Sequence, residues 1–243
     1  MKLIKLDAIP STNDFLKDMS RFQFLENYTT VIANNQTNGK GQMGAVWQSE
    51  TGKNLIMSVF IKNILIKKSE IFDLNIAVSL AILSVLNTLN IPNLSIKWPN
   101  DIMSDTKKIG GILIENTFKT DKTIESIVGI GLNVNQINFS DLPKASSMRI
   151  IMNQNFNLEI ILNAIVSEIK INCKLISNCD FEKLRGNYYN SLFKINSPMV
   201  FKTGNNLKFM GIIKNVTFDG LLEISLENGT IQQFGIKEIS MLY

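Results

Sequence analysis

The sequence predicts an α+β fold followed by a small SH3-like β-barrel, and three observations carry that expectation. Short β-branched stretches such as "TTVIANN" and "NLIMSVFI" alternate with segments of helical spacing. The apolar run "IAVSLAILSVL", residues 76 to 86, reads as one buried helix. From about residue 194 the chain becomes a series of short strands separated by "TGNN", "FDG" and "ENG", the last a strong hairpin signal. A length of 243 residues suits one sizeable domain and one small one, and a hydrophobic fraction of 45% is ample for a core.

Taken in order, "STNDFLKDMS" opens with a good N-cap, Ser11, and carries Asp14 in the first turn, so a helix is expected over about 12 to 21. "TTVIANN" is a strand running into a glycine loop, and residues 54 to 61 form the next strand. A long helix is expected from about 69 to 90, ending before Pro92. Strands follow at "LSIKW", "KIGGILIEN" and "SIVGIGLNV", then helices over 156 to 175 and 180 to 192. The boundary near 194 divides the chain into residues 1–193 and 194–243.

Composition removes several classes of chemistry. The chain has no histidine, which excludes His-based triads, H-E-x-x-H zinc sites, Cys/His zinc fingers and the kinase H-R-D loop. Acid, base and charge-stabilising roles fall to Lys, Arg, Asp, Glu or backbone groups. The two cysteines, Cys173 and Cys179, read as unpaired thiols of a cytoplasmic protein. The net charge of +4 is scattered, without the basic stripe of a nucleic-acid binder. The N-terminus lacks an apolar signal region, and the apolar run, bracketed by Asn75 and Asn87, is shorter than the roughly 20 residues a bilayer needs. Neither a membrane nor a nucleic acid is expected as partner.

The stretch "NGKGQMGAVWQ", residues 38 to 48, contains G-x-G-x-x-G at Gly39, Gly41 and Gly44. A dinucleotide site would need a helix directly after the glycines, but the loop runs through "AVWQSETGKN" into a strand. No kinase motif follows, and Gly39-Lys40 is continued by Gly41, not by the Ser or Thr of a Walker loop. By itself the triple glycine is also consistent with a plain flexible loop.

Four further segments give the loop a context: "STND" at 11 to 14, "SIKWPNDIM" at 95 to 103, "KIGGILIEN" at 108 to 116 and "VGIGLNVN" at 128 to 135. Together with the loop they resemble the catalytic domain of biotin–protein ligases in content, order and spacing. The tail from 194 resembles that family's C-terminal barrel. The most specific element is "KWPND" followed seven residues after its Asp by "KIGGIL". The resemblance implies a mixed β-sheet with packed helices, of the class II aminoacyl-tRNA synthetase-like type. "STN" at residue 11 leaves no room for the N-terminal DNA-binding module of some members, so a monofunctional form is expected.

The activity so implied has two steps. The biotin carboxylate attacks the α-phosphorus of ATP, giving biotinyl-5'-AMP and pyrophosphate; a lysine amine on a biotin carboxyl carrier protein, or the biotinyl domain of a carboxylase, then displaces AMP. Two anions meet in the first step, which calls for fixed positive charge and Mg²⁺. By resemblance Lys108 supplies that charge to biotin and nucleotide, although a Lys-Lys pair is also an ordinary surface feature. Asp101 is the implied Mg²⁺ ligand and a candidate acceptor of the incoming lysine's proton; it and Asn100, implied at the nucleotide, also suit a turn after Pro99. Lys97 fits a phosphate contact or the end of a core strand equally well.

The implied biotin site draws on Ser11, Thr12, Asn13 and Gln36 for the polar ureido ring, whatever capping they also perform. It adds Gly39, Lys40, Gly41 and Gln42 from the loop, Gly111 and Leu113 from "KIGGIL", and Gly129, Ile130 and Gly131 as a wall. Trp47 is implied to pack on adenine, with Lys40 and Asn133 also at the nucleotide, while Trp98 reads as core. In the loop the family pattern is roughly G-R-G-R-x-G-R; here its arginine positions hold Lys40, Gln42 and Ala45. Lys40 keeps charge without the bidentate fork, Gln42 keeps only hydrogen bonding, and Ala45 keeps neither. The loop is expected to act as a mobile flap. Two rival readings remain: a lipoate- or octanoate-transferring enzyme of the same superfamily, and a non-catalytic biotin-binding module. Monomer and homodimer are both compatible with the sequence.

Overall fold

The computed structural model describes residues 2–65 and 67–243. A seven-stranded mixed sheet forms its centre, in the order β1-β2-β3-β7-β6-β5-β4. Strands β1 (Leu3–Ile9) and β2 (Thr30–Gln36) are parallel and joined by helix α1 (Thr12–Phe22), the crossover that a parallel pair requires. The remaining pairs, made by β3 (Leu55–Lys62), β4 (Leu94–Lys97), β5 (Asp101–Ser104), β6 (Lys107–Phe118) and β7 (Ile124–Leu132), are antiparallel.

The expected elements are present, with ends shifted by no more than about two residues where they can be compared. The long helix α2 runs Ile71–Thr88, and α4 and α5 run Leu158–Ser177 and Phe181–Asn190, after a short helix α3 (Met148–Met152). Strands β1 and β5 and helix α3 were not expected. β1 is the half-exposed sheet edge and lacks a strict apolar alternation. β5 begins inside the turn-like letters "WPND".

Strand periodicity assigns the two faces of the sheet. On β3, Leu55, Met57, Val59 and Ile61 point into the main core with α2 and α4. Phe60, from the opposite register, packs with Leu16 of α1, Val31 and Ile127 in a smaller cluster. Each buried Leu, Ile, Met or Phe removed from water contributes roughly 1.5–3 kcal/mol, so β3, buried at every residue but Lys62, anchors the layers. α2 is long and apolar enough to cross a membrane, but here it is a core helix packed against α4, α5 and the sheet.

A second, five-stranded antiparallel sheet follows, in the order β11-β10-β9-β8-β12, made from β8 (Pro198–Thr203), β9 (Lys208–Val216), β10 (Leu222–Leu226), β11 (Ile231–Phe234) and β12 (Ile239–Leu242). The expected turns fall between its strands, with Gly220 at φ 85° and Gly229 at φ 81°, values that favour glycine. Phe201, Phe209 and Phe234 stack through its core.

The β9–β10 turn pins this sheet to the first. Trp98, buried as expected, donates from Nε1 to the Gly220 carbonyl at 2.9 Å. Phe72 of α2 lies so close that a Cβ on Gly220 would stand 2.5 Å from its ring. Arg185 of α5 donates to the Thr217 and Phe218 carbonyls while pairing at 2.7 Å with buried Asp73. Burial pushes the Asp73 carboxyl above its ordinary range, outweighing the opposing effect of Arg185.

Candidate active site

The start of α1 builds the polar end of a cavity. Ser11 is the N-cap, its Oγ accepting from the Asp14 amide at 3.3 Å. Gln36, at the end of β2, accepts through Oε1 from both Thr12 N (2.8 Å) and Thr12 Oγ1 (2.9 Å). Ser58 Oγ, fully buried on β3, lies 2.7 Å from Thr12 Oγ1 and 2.6 Å from Asn13 Oδ1. Asn13 Nδ2 donates to Glu115 Oε2 at 2.8 Å, which fixes its amide with the oxygen toward Ser58. Gly129 makes this packing possible, since a Cβ there would stand 2.5 Å from Asn13 Oδ1.

The charged centre comes from the β4–β5–β6 hairpins. Lys108 Nζ lies 2.6 Å from Asp101 Oδ1, and Lys97 Nζ lies 3.3 Å from Asp101 Oδ2. Lys108 and Gly111, three apart, would normally face opposite sides of a strand. The register shift between Ile102 and Met103 turns them together, and a Cβ on Gly111 would meet Lys108 Nζ at 3.3 Å. Asn100 Nδ2 donates to the Ile112 carbonyl at 2.6 Å, tying the β4–β5 connection to β6.

The glycine loop forms a small hairpin over this centre. Gly41 N donates to Ala45 O at 2.7 Å and Trp47 N to Gly39 O at 2.9 Å, with Met43 (φ 54°) and Gly44 (φ 80°) at the tip. Lys40 Nζ pairs with Asp14 Oδ2 at 2.7 Å, and that contact holds the Lys40 ammonium above its ordinary range. The Trp47 ring lies on Gly131 and beside Gly111, with Lys108 Nζ 5.7 Å from its centroid. Trp47 Nε1 is buried and makes no hydrogen bond within the protein.

These pieces enclose a cavity of about 240 Å³. Of the residues expected from sequence, Ser11, Thr12, Asn13, Gln36, Lys40, Gly41, Gln42, Trp47, Asn100, Asp101, Lys108, Gly111, Leu113, Gly129, Ile130 and Gly131 line it. Two expected residues lie outside the lining: Gly39 closes the base of the loop hairpin, and Asn133 is buried with its Nδ2 donating to the Ser146 carbonyl at 3.1 Å. Sequence reading missed Ile56, Met57 and Ile112, apolar neighbours in register with the expected residues, and the loop positions Met43 and Val46. It also missed Ile236 and Lys237 from the β11–β12 connection, for which no local signal exists. Ser58 carried one readable signal, a hydroxyl within the otherwise apolar run Leu55–Ile61.

Asp101 is the one acidic side chain among the described lining residues, and no group of three His, Cys, Asp or Glu that could hold a metal occurs among the described residues. A single carboxylate fits Mg²⁺ of the kind held mainly by substrate phosphates and water, and not a cation caged by protein alone.

Residues 6–135 match the biotin/lipoate A/B protein ligase family. The chain is 35% identical over 135 residues to the bifunctional ligase/repressor BirA of Bacillus spizizenii, covering 55% of this chain and 41% of that protein. It is 31% identical over 121 residues to the biotin–[acetyl-CoA-carboxylase] ligase of Mycobacterium tuberculosis, covering 49% and 44%. The match thus spans less than half the length of these relatives. In fold, the chain is similar to the biotin protein ligase of Aquifex aeolicus solved with biotin and ATP, with a TM-score of 0.80, 24% identity and coverage of 99% of this chain and 98% of that one. The Leishmania major biotin protein ligase solved with biotinyl-5-AMP gives a TM-score of 0.63 at 22% identity, covering 96% and 98%.

Proposed function

Because the chain belongs to the biotin/lipoate A/B protein ligase family, we propose that it activates biotin with ATP to biotinyl-5'-AMP and transfers the biotinyl group to a lysine of a biotin carboxyl carrier protein. The observation that carries this reading is the joining, in one cavity, of a polar Thr12–Asn13–Gln36 end to a Lys108–Asp101 centre under Trp47. The first end offers donors and acceptors suited to a ureido ring. The second offers fixed charge where a carboxylate and a phosphate must meet.

In this reading Lys108 stabilises the negative charge that develops as the biotin carboxylate bonds to the α-phosphorus and pyrophosphate leaves. Asp101 orients the Lys108 ammonium and, in the second step, takes the proton of the incoming lysine as AMP departs. Mg²⁺, held by Asp101 and the substrate phosphates, would supply further neutralisation of the pyrophosphate. Trp47 covers the adenine, and the loop hairpin excludes water that would hydrolyse the acyl-adenylate. The C-terminal sheet is read as a small SH3-like barrel domain, residues 194–243, beside a ligase domain of residues 1–193. Two free cysteines fit a cytoplasmic setting.

Mass spectrometry of a biotinyl carrier domain incubated with the protein, ATP, Mg²⁺ and biotin tests this directly. A mass gain of one biotinyl group on the carrier lysine is expected. ATP–pyrophosphate exchange stimulated by lipoate and not by biotin would replace the reading with the lipoate alternative, and biotin binding without exchange or transfer would leave a non-catalytic module.

A further inference from the structure

Lys237 sits in the β11–β12 connection of the second sheet, yet its Nζ donates to the Met43 carbonyl at the tip of the glycine-loop hairpin. Both ends of this contact occupy the left-handed backbone region, Lys237 at φ 69° and Met43 at φ 54°. A lysine there costs stability that its surroundings must offset, and such positions cluster where structure serves function. The connection itself is firmly held: Gly235 N donates to Glu238 Oε2 at 2.7 Å, and Gly204 N donates to Glu238 O at 3.0 Å. The whole sheet is in turn pinned through Trp98, Phe72 and Arg185. Lys237 is therefore a fixed post, and the hairpin tip is the part it restrains.

The other lysines at the cavity are already engaged. Lys40 is paired with Asp14 and Lys108 with Asp101, whereas Lys237 forms no ion pair among the described residues. A charged donor to a carbonyl is stronger than a neutral one, and this one crosses from one sheet's domain to the other's loop.

We propose that Lys237 is a positioning residue that latches the tip of the 39–47 hairpin over the cavity through the Met43 carbonyl. Resting on the function proposed above, the latch sets how long the acyl-adenylate is held before transfer. It offsets the two loop positions, Gln42 and Ala45, that carry no charge.

Two measurements on Lys237→Met, Lys237→Gly and Lys237→Arg test the latch. In the ligand-free protein, hydrogen exchange at the Gly41 and Trp47 amides is expected to be about tenfold faster in the Met and Gly variants, equivalent to about 1.4 kcal/mol, and close to wild type in the Arg variant. With biotin and ATP, adenylate release is expected to accelerate by a similar factor while the kcat of its formation changes by less than about twofold. Lys237→Gly relieves the positive φ, so its thermal stability should equal or exceed that of wild type and its faster opening is not a folding defect. Unaltered exchange at Gly41 and Trp47, or failure of arginine to restore it, overturns the latch. A wild type that opens as described but forms no adenylate overturns the proposed function and leaves the latch standing.

Discussion

Gly131 and Trp47 occupy adjoining space so closely that a Cβ on Gly131 would stand 2.6 Å from Trp47 Cζ2. On β7, Gly129 and Gly131 share one face, and each accommodates a different side chain of the cavity lining, Asn13 and Trp47. The strand is thus a floor whose two missing side chains set the two ends of the cavity. Gly131→Ala should leave the fold intact, since its backbone is not in the left-handed region, and push the indole off the floor. The KM for ATP should then rise about tenfold, roughly 1.4 kcal/mol, with a smaller effect on biotin. An unchanged KM for ATP would show that Trp47 does not cover the nucleotide.

Lys108 and Asp101 form the shortest ion pair at the cavity, at 2.6 Å. On the proposed function, Lys108→Ala removes the charge assigned to the reacting groups, and the rate of biotin-dependent ATP–pyrophosphate exchange should fall by about 10²–10³-fold, the loss typical of a single transition-state donor. Asp101→Asn leaves Lys97 and Lys108 without their shared carboxylate, so transfer to a carrier lysine should suffer more than adenylate formation. Equal losses in both steps would remove the proton-accepting role assigned to Asp101.

Ser58 lies beneath two residues that line the cavity, Thr12 and Asn13. Its hydroxyl is the buried partner of both Thr12 Oγ1 and Asn13 Oδ1. Ser58→Ala leaves Asn13 Oδ1 facing a methyl group, a change that costs about 1–3 kcal/mol for an unsatisfied buried acceptor. The expected result is a KM for biotin raised about tenfold with kcat for exchange retained. Loss of kcat with an unaltered KM would place Ser58 outside the binding of biotin.

Much of this was legible because the informative residues are local. "STND", "KWPND", "KIGGIL" and the glycine loop each name a short stretch whose turn chemistry and spacing survive in the fold, and sixteen of the expected residues line one cavity. Three kinds of feature were not legible. Edge strand β1 and short strand β5 lack the alternation that marks a buried face. The bulge that turns Lys108 toward Gly111 depends on pairing between strands. Lys237 reaches Met43 across 194 positions of sequence, a contact that exists only once two sheets are docked. Asn133 shows the converse: its motif was readable, but its amide is directed to Ser146 in the protein interior.

The two cysteines should differ in reactivity. Cys173 is buried in α4, and burial pushes its thiol up to about 12 from 9.0, with Tyr28 opposing in part, while Cys179 is exposed. At pH 8 a thiol reagent should modify one cysteine per native chain, at Cys179, and both after denaturation. The linkage runs in the same direction: the stability that the neutral Cys173 thiol contributes is fully present below the unfolded value near 9.0 and is lost as pH rises through about 12. Rapid native labelling at Cys173 would contradict its burial.

Gln42 lies in the loop hairpin and lines the cavity, where an arginine would bring a planar, permanently charged fork toward the phosphate. In its place Gln42 offers only neutral hydrogen bonding, and the carboxylate nearest the loop, Asp14, already holds Lys40. The loop therefore brings little uncompensated charge to the cavity, where the proposed function would hold an anionic acyl-adenylate. Gln42→Arg should lengthen the lifetime of bound adenylate by about tenfold, roughly 1.4 kcal/mol, and that gain should shrink as salt is raised because the new contact is partly exposed. Transfer to carrier should become slower under single-turnover conditions only if the tighter hold also impedes access of the lysine. Adenylate release measured by rapid filtration decides the matter: equal lifetimes for wild type and Gln42→Arg would mean that the loop's charge does not govern retention, and that Lys108 with the closed hairpin suffices.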